Sequence, residues 1–290
     1  MARMEAAWYG HIGHVKEDNE DQAAVVAPGE LGCDAWLLVV TDGLGGGGGG
    51  RASQIAADHF RSAAPSCLAS SAGGGFEALA TALSELVQGA NKAIWTELRS
   101  GTGPGRMATT CTAAVVSGNR VAVAHVGDSR AYLVRGREAL MLTADHALME
   151  EMEIPEDKVR RRTDPAPYHS VLTRALGRAP VVEIDQVRTE LIDGDALVLC
   201  SDGLTAMLSD SRIGKVLEAS RTPDTACRRL VNLALRRGGY DNVTVAILTV
   251  GERGGDDEVG ADEAEIMPPR RPEPPRGLAA RLIRRIKGRR

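Results

Sequence analysis

The chain has 290 residues, 43% of them hydrophobic and 26% charged, with a formal net charge of −4; this buries one substantial core and leaves no bulk affinity for nucleic acid. Five scattered cysteines (Cys33, Cys67, Cys111, Cys200, Cys227), never paired as C-x-x-C, fit a reducing cytosol and argue against a disulfide framework or a zinc site. The opening MARMEAAWYG is polar where a signal peptide needs an apolar stretch, and no run approaches the ~20 apolar residues of a bilayer span, so a cytoplasmic chain is expected.

In chain order, short Val- and Leu-rich runs bounded by Gly, Asp or Asn predict strands at 36–41, 111–116, 120–126, 131–134, 196–200 and 243–250. Two successive helices are expected between the first strand group and the next. The clearer one carries Phe76, Leu79, Leu83, Leu86, Val87, Ala90, Ile94 and Leu98 on a single stripe. A later helix opens on Thr222-Pro223 and closes on Gly238-Gly239. Two strands meet through GDSRAYLV with no helix between them, so the order reads as α+β with antiparallel pairing and not as alternating βαβ.

One fold-bearing domain is therefore expected over residues 1–250. Residues 251–275 are acidic and then proline-rich, with nothing to bury, and read as a disordered linker. Residues 276–290 mix Leu278, Leu282, Ile283 and Ile286 with seven basic residues. As a helix this tail is cationic and amphipathic, suited to an anionic membrane surface such as the inner face, or to an acidic partner; a plain soluble basic tail stands beside that reading.

Four aspartates stand at the ends of apolar β-type runs beside Gly or Asn: Asp42 in VVTDG, Asp128 in HVGDSR, Asp202 in LCSDG and Asp241 in GYDN. Strand ends deliver side chains to a sheet edge, and carboxylates gathered there repel one another unless a cation sits among them. With no Lys or His cluster to match, a hard divalent ion, Mg²⁺ or Mn²⁺, is the expected neutraliser. The run GLGGGGGGRAS contains Gly43-x-Gly45-x-x-Gly48, yet no Lys-Ser/Thr follows and the Asp42 carboxylate would face a pyrophosphate. A mobile loop over a metal edge is expected there instead of a nucleotide site.

The order and spacing of the motifs resemble the metal-dependent Ser/Thr protein phosphatases of the PPM, or protein phosphatase 2C, family. GHVKEDNED (13–21), TDGLGG (41–46), MATTCTAAVV (107–116), HVGDSRAYLVR (125–135), TADH (143–146), HSVLTRALG (169–177), LCSDGLT (199–205) and GGYDNVT (238–244) follow in the family's order. The resemblance implies two packed antiparallel sheets flanked by helix layers, an αββα sandwich with the metals in the cleft between the sheets. By it, Asp42 bridges two Mn²⁺ or Mg²⁺ ions, the Gly43 carbonyl joins one of them, and Asp202 and Asp241 complete the other site. Glu20 and Asp21 hold metal-bound waters, and Asp128 serves a weaker third ion. The implied reaction is hydrolysis of phosphoserine and phosphothreonine in proteins by a metal-bridging hydroxide, opposing Ser/Thr kinases, with Lys16 and Asn242 on the substrate side.

Two departures from the family are visible. Lys16 stands where the family places an arginine, which keeps the charge but loses the bidentate fork. Glycines and Arg51 replace a His and a Glu after Asp42. These motivate a rival reading, a phosphatase fold with weakened or lost turnover that binds phosphoproteins or partners. A metal-dependent nuclease would want a basic groove, against the acidic balance. Cys200 is expected to be a buried small hydrophobe and His125 structural. His146 and His169 either protonate the leaving oxygen or order the flap between their motifs, in which Arg160, Arg161 and Arg162 are a solvated face or a recruiting patch.

Overall fold

The computed structural model describes residues 3–44, 47–101, 103–148 and 171–251. His169, Arg160, Arg161, Arg162 and the segments 252–275 and 276–290 lie outside them.

The six expected strands form, and among the described residues five further strands join them. In order they are β1 (Met4–His11), β2 (Asp21–Val26), β3 (Trp36–Leu44), β4 (Ala108–Thr109), β5 (Cys111–Ser117), β6 (Arg120–Val126), β7 (Arg130–Arg135), β8 (Glu138–Met141), β9 (Asp185–Glu190), β10 (Ala196–Cys200) and β11 (Val243–Val250), the expected ones being β3, β5, β6, β7, β10 and β11. Among the described residues they make two antiparallel sheets, ordered β1-β11-β10-β7-β8 and β2-β3-β5-β6-β9, with β4 paired to β3. The helices are α1 (Pro28–Leu31), α2 (Gly49–Ser71), α3 (Gly75–Ser100), α4 (Asp202–Thr205), α5 (Asp210–Glu218) and α6 (Pro223–Arg236).

Three apolar layers explain why the central strands read as continuous hydrophobic runs. In β11, Val243, Val245 and Ile247 face α5 and α6, while Ala246, Leu248 and Val250 face the other sheet. In β3, Leu37 and Val39 face α2 and α3, while Leu38 and Val40 meet the partner sheet. A strand covered on both sides has no polar face to alternate with. The αββα sandwich implied by the resemblance is thus the observed fold. The α3 stripe is buried from Leu79 to Ile94, and Thr222 caps α6 by accepting the Thr225 N–H at 3.2 Å.

The glycine run differs from expectation. Gly45 and Gly46 lie outside the described residues, but Gly49 and Gly50 already belong to α2, so from Gly49 onward the run is helix and not a loop over the metal edge. Its glycines are steric requirements: a Cβ on Gly49 would stand 2.5 Å from the Gly43 carbonyl carbon and the Leu44 nitrogen, and one on Gly48 would stand 1.7 Å from the Arg106 oxygen. The start of α2 therefore lies backbone against backbone on β3. Gly49→Ala is expected to lower unfolding stability by about 2 kcal/mol or more, whereas Gly29→Ala, with open space around it, stays within about 0.5 kcal/mol. Urea midpoints of the two variants measure the difference.

Candidate metal centre

The two sheets bring five carboxylates to one rim. Asp21 opens β2 directly across from Asp42 on β3, in register. The other sheet supplies Asp202, first residue of α4 after β10, and Asp241, just before β11. Asp128 stands in the turn from β6 to β7, which carries the chain from one sheet to the other. Residues 181 positions apart thus share a site because every contributing strand ends at the same edge.

The strands hold these groups through buried hydroxyls. The Thr244 N–H donates to Ser201 Oγ at 2.9 Å, and Ser201 donates to Asp21 Oδ2 at 2.7 Å, which ties the two sheets together beneath the carboxylates. Thr109 Oγ1 donates to the Asp42 carbonyl at 2.9 Å, and the Asp42 N–H donates to Thr110 Oγ1 at 3.0 Å. Thr110 also bonds Ser129, beside Asp128, at 2.7 Å. Ser201, Thr109, Thr110 and Ser129 are fully buried. As single residues they escaped sequence reasoning, and their signal is a hydroxyl at an otherwise apolar strand position, where it needs a polar partner.

The electrostatics are those of an anion cluster. Burial, then the fields of Asp202 and Asp241, push the Asp21 carboxyl up to about 7 against the bonds from Ser201 and Thr244. Burial and the neighbouring Asp202 and Asp145 bring Asp128 to about 7 as well. Asp42 is raised well above the carboxylate range by burial and by Asp21, Asp202, Asp128 and Asp241. Asp202 is raised by burial and Asp241, partly offset by its hydrogen bond with Asp42 and by Lys16. Carboxylates gathered this closely repel one another, and a cation among them would favour their charged forms.

The donor set fits hard divalent cations. Asp21 Oδ1 and Asp128 Oδ1 are buried with no hydrogen-bond partner, and every group at the rim offers oxygen. Among the described residues no three His, Cys, Asp or Glu side chains already converge as a cage.

The remaining expected site residues fall as follows. Lys16 reaches the rim, its Nζ 2.7 Å from Asp241 Oδ1. Burial lowers its pKa, but the bond to Asp241 and the fields of Asp42 and Asp202 outweigh that and raise it. Glu20 Oε1 accepts the Gly50 N–H at 3.1 Å, and its backbone N–H donates to Asn242 Oδ1 at 2.8 Å. Asn242 Nδ2 donates to the Ile12 and Asp18 carbonyls at 2.8 and 3.0 Å. Asn242 therefore holds the loop that carries Lys16, and its amide is engaged with backbone instead of facing a substrate. Gly43 packs against Gly49, and Arg51 forms a bidentate pair with Glu97, 2.7 Å at each contact.

The histidines and Cys200 serve the frame. His125 Nδ1 bonds Thr112 at 2.9 Å and Nε2 bonds the Ala144 carbonyl at 3.0 Å, and burial lowers its pKa to about 4. His146 Nδ1 accepts the Gly127 N–H at 3.1 Å, its own N–H donates to the Gly127 carbonyl at 2.7 Å, and Nε2 lies 3.1 Å from Asp185. It straps the turn that carries Asp128. Burial raises the Cys200 thiol to about 12, which removes it as a nucleophile.

A two-sheet sandwich with an oxygen-only anion cluster on its rim defines a metal-dependent hydrolase. Residues 13–225 match protein phosphatase 2C. The chain is 30% identical over 246 residues to the serine/threonine phosphatase stp of Listeria monocytogenes, covering 84% of this chain and 95% of that one. The structure of the S. agalactiae serine/threonine phosphatase superposes with a TM-score of 0.74 at 32% identity, covering 86% of this chain and all of that one. The catalytic domain of the phosphatase PstP, in complex with two manganese ions, superposes at 0.68 with 32% identity over 86% of this chain and 98% of that one. The chain belongs to the protein phosphatase 2C family and is a metal-dependent serine/threonine protein phosphatase acting on phosphoproteins.

Proposed function

We propose that Asp42, Asp202, Asp241 and the Gly43 carbonyl hold two core cations, with Asp21 and Glu20 orienting waters around them. The convergence of Asp21, Asp42, Asp128, Asp202 and Asp241 on one rim, with Asp21 Oδ1 and Asp128 Oδ1 buried and without a hydrogen-bond partner, carries this reading, since clustered carboxylates at neutral pH call for a positive charge among them. Mn²⁺ is the favoured ion, by analogy with the two manganese ions held by the PstP domain. A further cation is assigned to Asp128, whose buried Oδ1 has no partner.

When bound, such ions supply an acidified water as nucleophile and offset the charge of the phosphoryl group. The chain's own contribution is positional. Asp21 and Asp42 fix one side of the cleft through their register, the Ser201 bridge fixes the distance between sheets, and Lys16 stands at the open side, where an ammonium can meet a phosphate oxygen. The substrates are phosphoserine and phosphothreonine proteins made by Ser/Thr kinases, in the cytoplasm; among the described residues no helix is long and apolar enough to cross a membrane. The basic segment 276–290 takes an acidic partner in this reading, with an anionic membrane face as the competing surface.

The Lys16–Asp241 pair is the one observation that favours weakened turnover, but it leaves every carboxylate of the rim in place. With Mn²⁺ the native chain is expected to hydrolyse both para-nitrophenyl phosphate and a phosphothreonine peptide, with excess EDTA and Asp202→Ala each removing at least 99% of the rate. Metal-independent turnover, or none in the native protein, overturns the enzymatic reading.

A further inference from the structure

At the end of the sandwich away from the carboxylates, the two sheets part around a groove of about 470 Å³, within the ~300–1,000 Å³ range of ligand sites. β3 runs from this groove at Trp36 to the cleft at Asp42, and β11 runs back from the cleft to the groove at Val250. Its walls include Met4, Trp36, Val116 and Ile192, the last 53% exposed, and the only charged residues lining it are Asp34 and Asp193. Both carboxylates are exposed, and neither is in an ion pair among the described residues.

An apolar slot with an uncompensated acidic rim asks for a partner that is apolar on one face and cationic beside it. The chain carries such a segment close by. Its path leaves the fold at Gly251, next to the groove wall: a Cβ on Gly251 would stand 1.7 Å from Asp193 Oδ1. Residues 276–290 then present Leu278, Leu282, Ile283 and Ile286 among Arg276, Arg281, Arg284, Arg285 and Lys287. We infer that segment 276–290 docks in this groove on its own molecule, apolar side chains between Trp36 and Ile192 and basic groups on Asp34 and Asp193.

Length permits the return. Residues 252–275 connect the two parts, and a random-coil length of that many residues spans about 27 Å root-mean-square, which would hold the segment near the groove at an effective concentration of about 1 mM. At a local Kd of about 0.1 mM the groove is then covered roughly nine-tenths of the time. Charge favours this occupant over an anionic membrane, because acidic residues from Asp256 to Glu265 precede the basic segment and the groove rim is itself acidic.

Hydrogen exchange on the full-length chain tests the docking, with Leu282→Asp/Ile283→Asp as a variant that leaves the folded domain untouched. Backbone amides of residues 34–36 and 191–193 are expected to exchange about ten-fold faster in the variant, independent of protein concentration. Asp34→Arg/Asp193→Arg should lose the same protection, and adding Arg281→Glu/Arg284→Glu should restore it. Equal exchange in native chain and tail variant overturns the inference. So does protection that grows with protein concentration, which means a second copy, or a tail whose substitution changes only co-sedimentation with phosphatidylcholine–phosphatidylserine vesicles, which means a lipid surface.

Discussion

Asp42→Asn is expected to melt several degrees higher than the native chain in EDTA at pH 8, and to hydrolyse a phosphothreonine peptide about three orders of magnitude more slowly in Mn²⁺. Both effects come from one carboxylate. The Asp42 carboxyl sits well above its ordinary pKa through burial and four neighbouring aspartates. A carboxyl whose folded pKa exceeds the unfolded value of about 3.9 binds more protons in the folded state, so its contribution is full below about pH 4 and is lost as pH rises through the folded value. For Asp21 and Asp128 that value is about 7, so the metal-free native chain should lose stability between about pH 4 and 7 and stay weakened at pH 8. Asparagine at 42 removes one repelling charge from among the neighbouring aspartates. Each kcal/mol relieved lifts the midpoint by about 2–4 °C in a domain of this size. The same change removes the proposed bridging ligand, and a loss of about 4 kcal/mol in transition-state stabilisation is three decades in rate. Thermal melts at pH 5 and pH 8, with and without Mn²⁺, check the first half. A variant that melts lower than native in EDTA at pH 8 would show that Asp42 is not under anionic strain.

How much of this was legible in the sequence depends on what each residue must do locally. The strands β3, β5, β6, β7, β10 and β11 were readable because each is a short apolar run between turn residues, and α3 and α6 because their stripes and caps are intrinsic to the segments. β2 was hidden by its own function: it opens on Asp21 and carries Gln22, polar positions that belong to the rim and not to a core face. β9, DQVRTE, is an edge strand with alternating exposure and few apolar residues. The start of α2 looked like a loop because its glycines are set by contact with β3 and Arg106, a tertiary demand that no local pattern expresses. Within the site Asp42, Asp128, Asp202 and Asp241 were visible from their recurring strand-end context, and Asp21 and Glu20 only through the resemblance. Ser201, Thr109 and Thr110 were not, since a hydroxyl gains its role only from the partner that folding brings to it. The same holds for Asn242: its place after Asp241 marked it as part of the site, but only the folded chain shows its amide bound to Ile12, Asp18 and Glu20.

Lys16 carries the second large effect, and two jobs are proposed for its ammonium. Nζ lies 2.7 Å from Asp241 Oδ1, with both side chains about two-fifths exposed, and it feels Asp42 and Asp202 as well. It thus offsets part of the negative charge at the rim. A divalent cation held by Asp202 and Asp241 would repel the ammonium, and the nearest anion left for it is the phosphoryl group of the substrate. Lys16→Met is therefore expected to raise KM for a phosphothreonine peptide by about 10- to 100-fold, the worth of one charged hydrogen bond, while kcat falls far less. Because an exposed ion pair is worth only about 0–1 kcal/mol, the same variant should bind Mn²⁺ no more than about five-fold tighter, measured by calorimetry without substrate. Lys16→Arg should lower KM below the native value, since a planar guanidinium can meet two phosphate oxygens where an ammonium meets one. If Lys16→Met leaves KM unchanged but tightens Mn²⁺ by more than ten-fold, the lysine serves the empty fold alone and another cation must receive the phosphate. If Lys16→Met loses kcat with KM unmoved, the ammonium acts in the chemical step and not in binding.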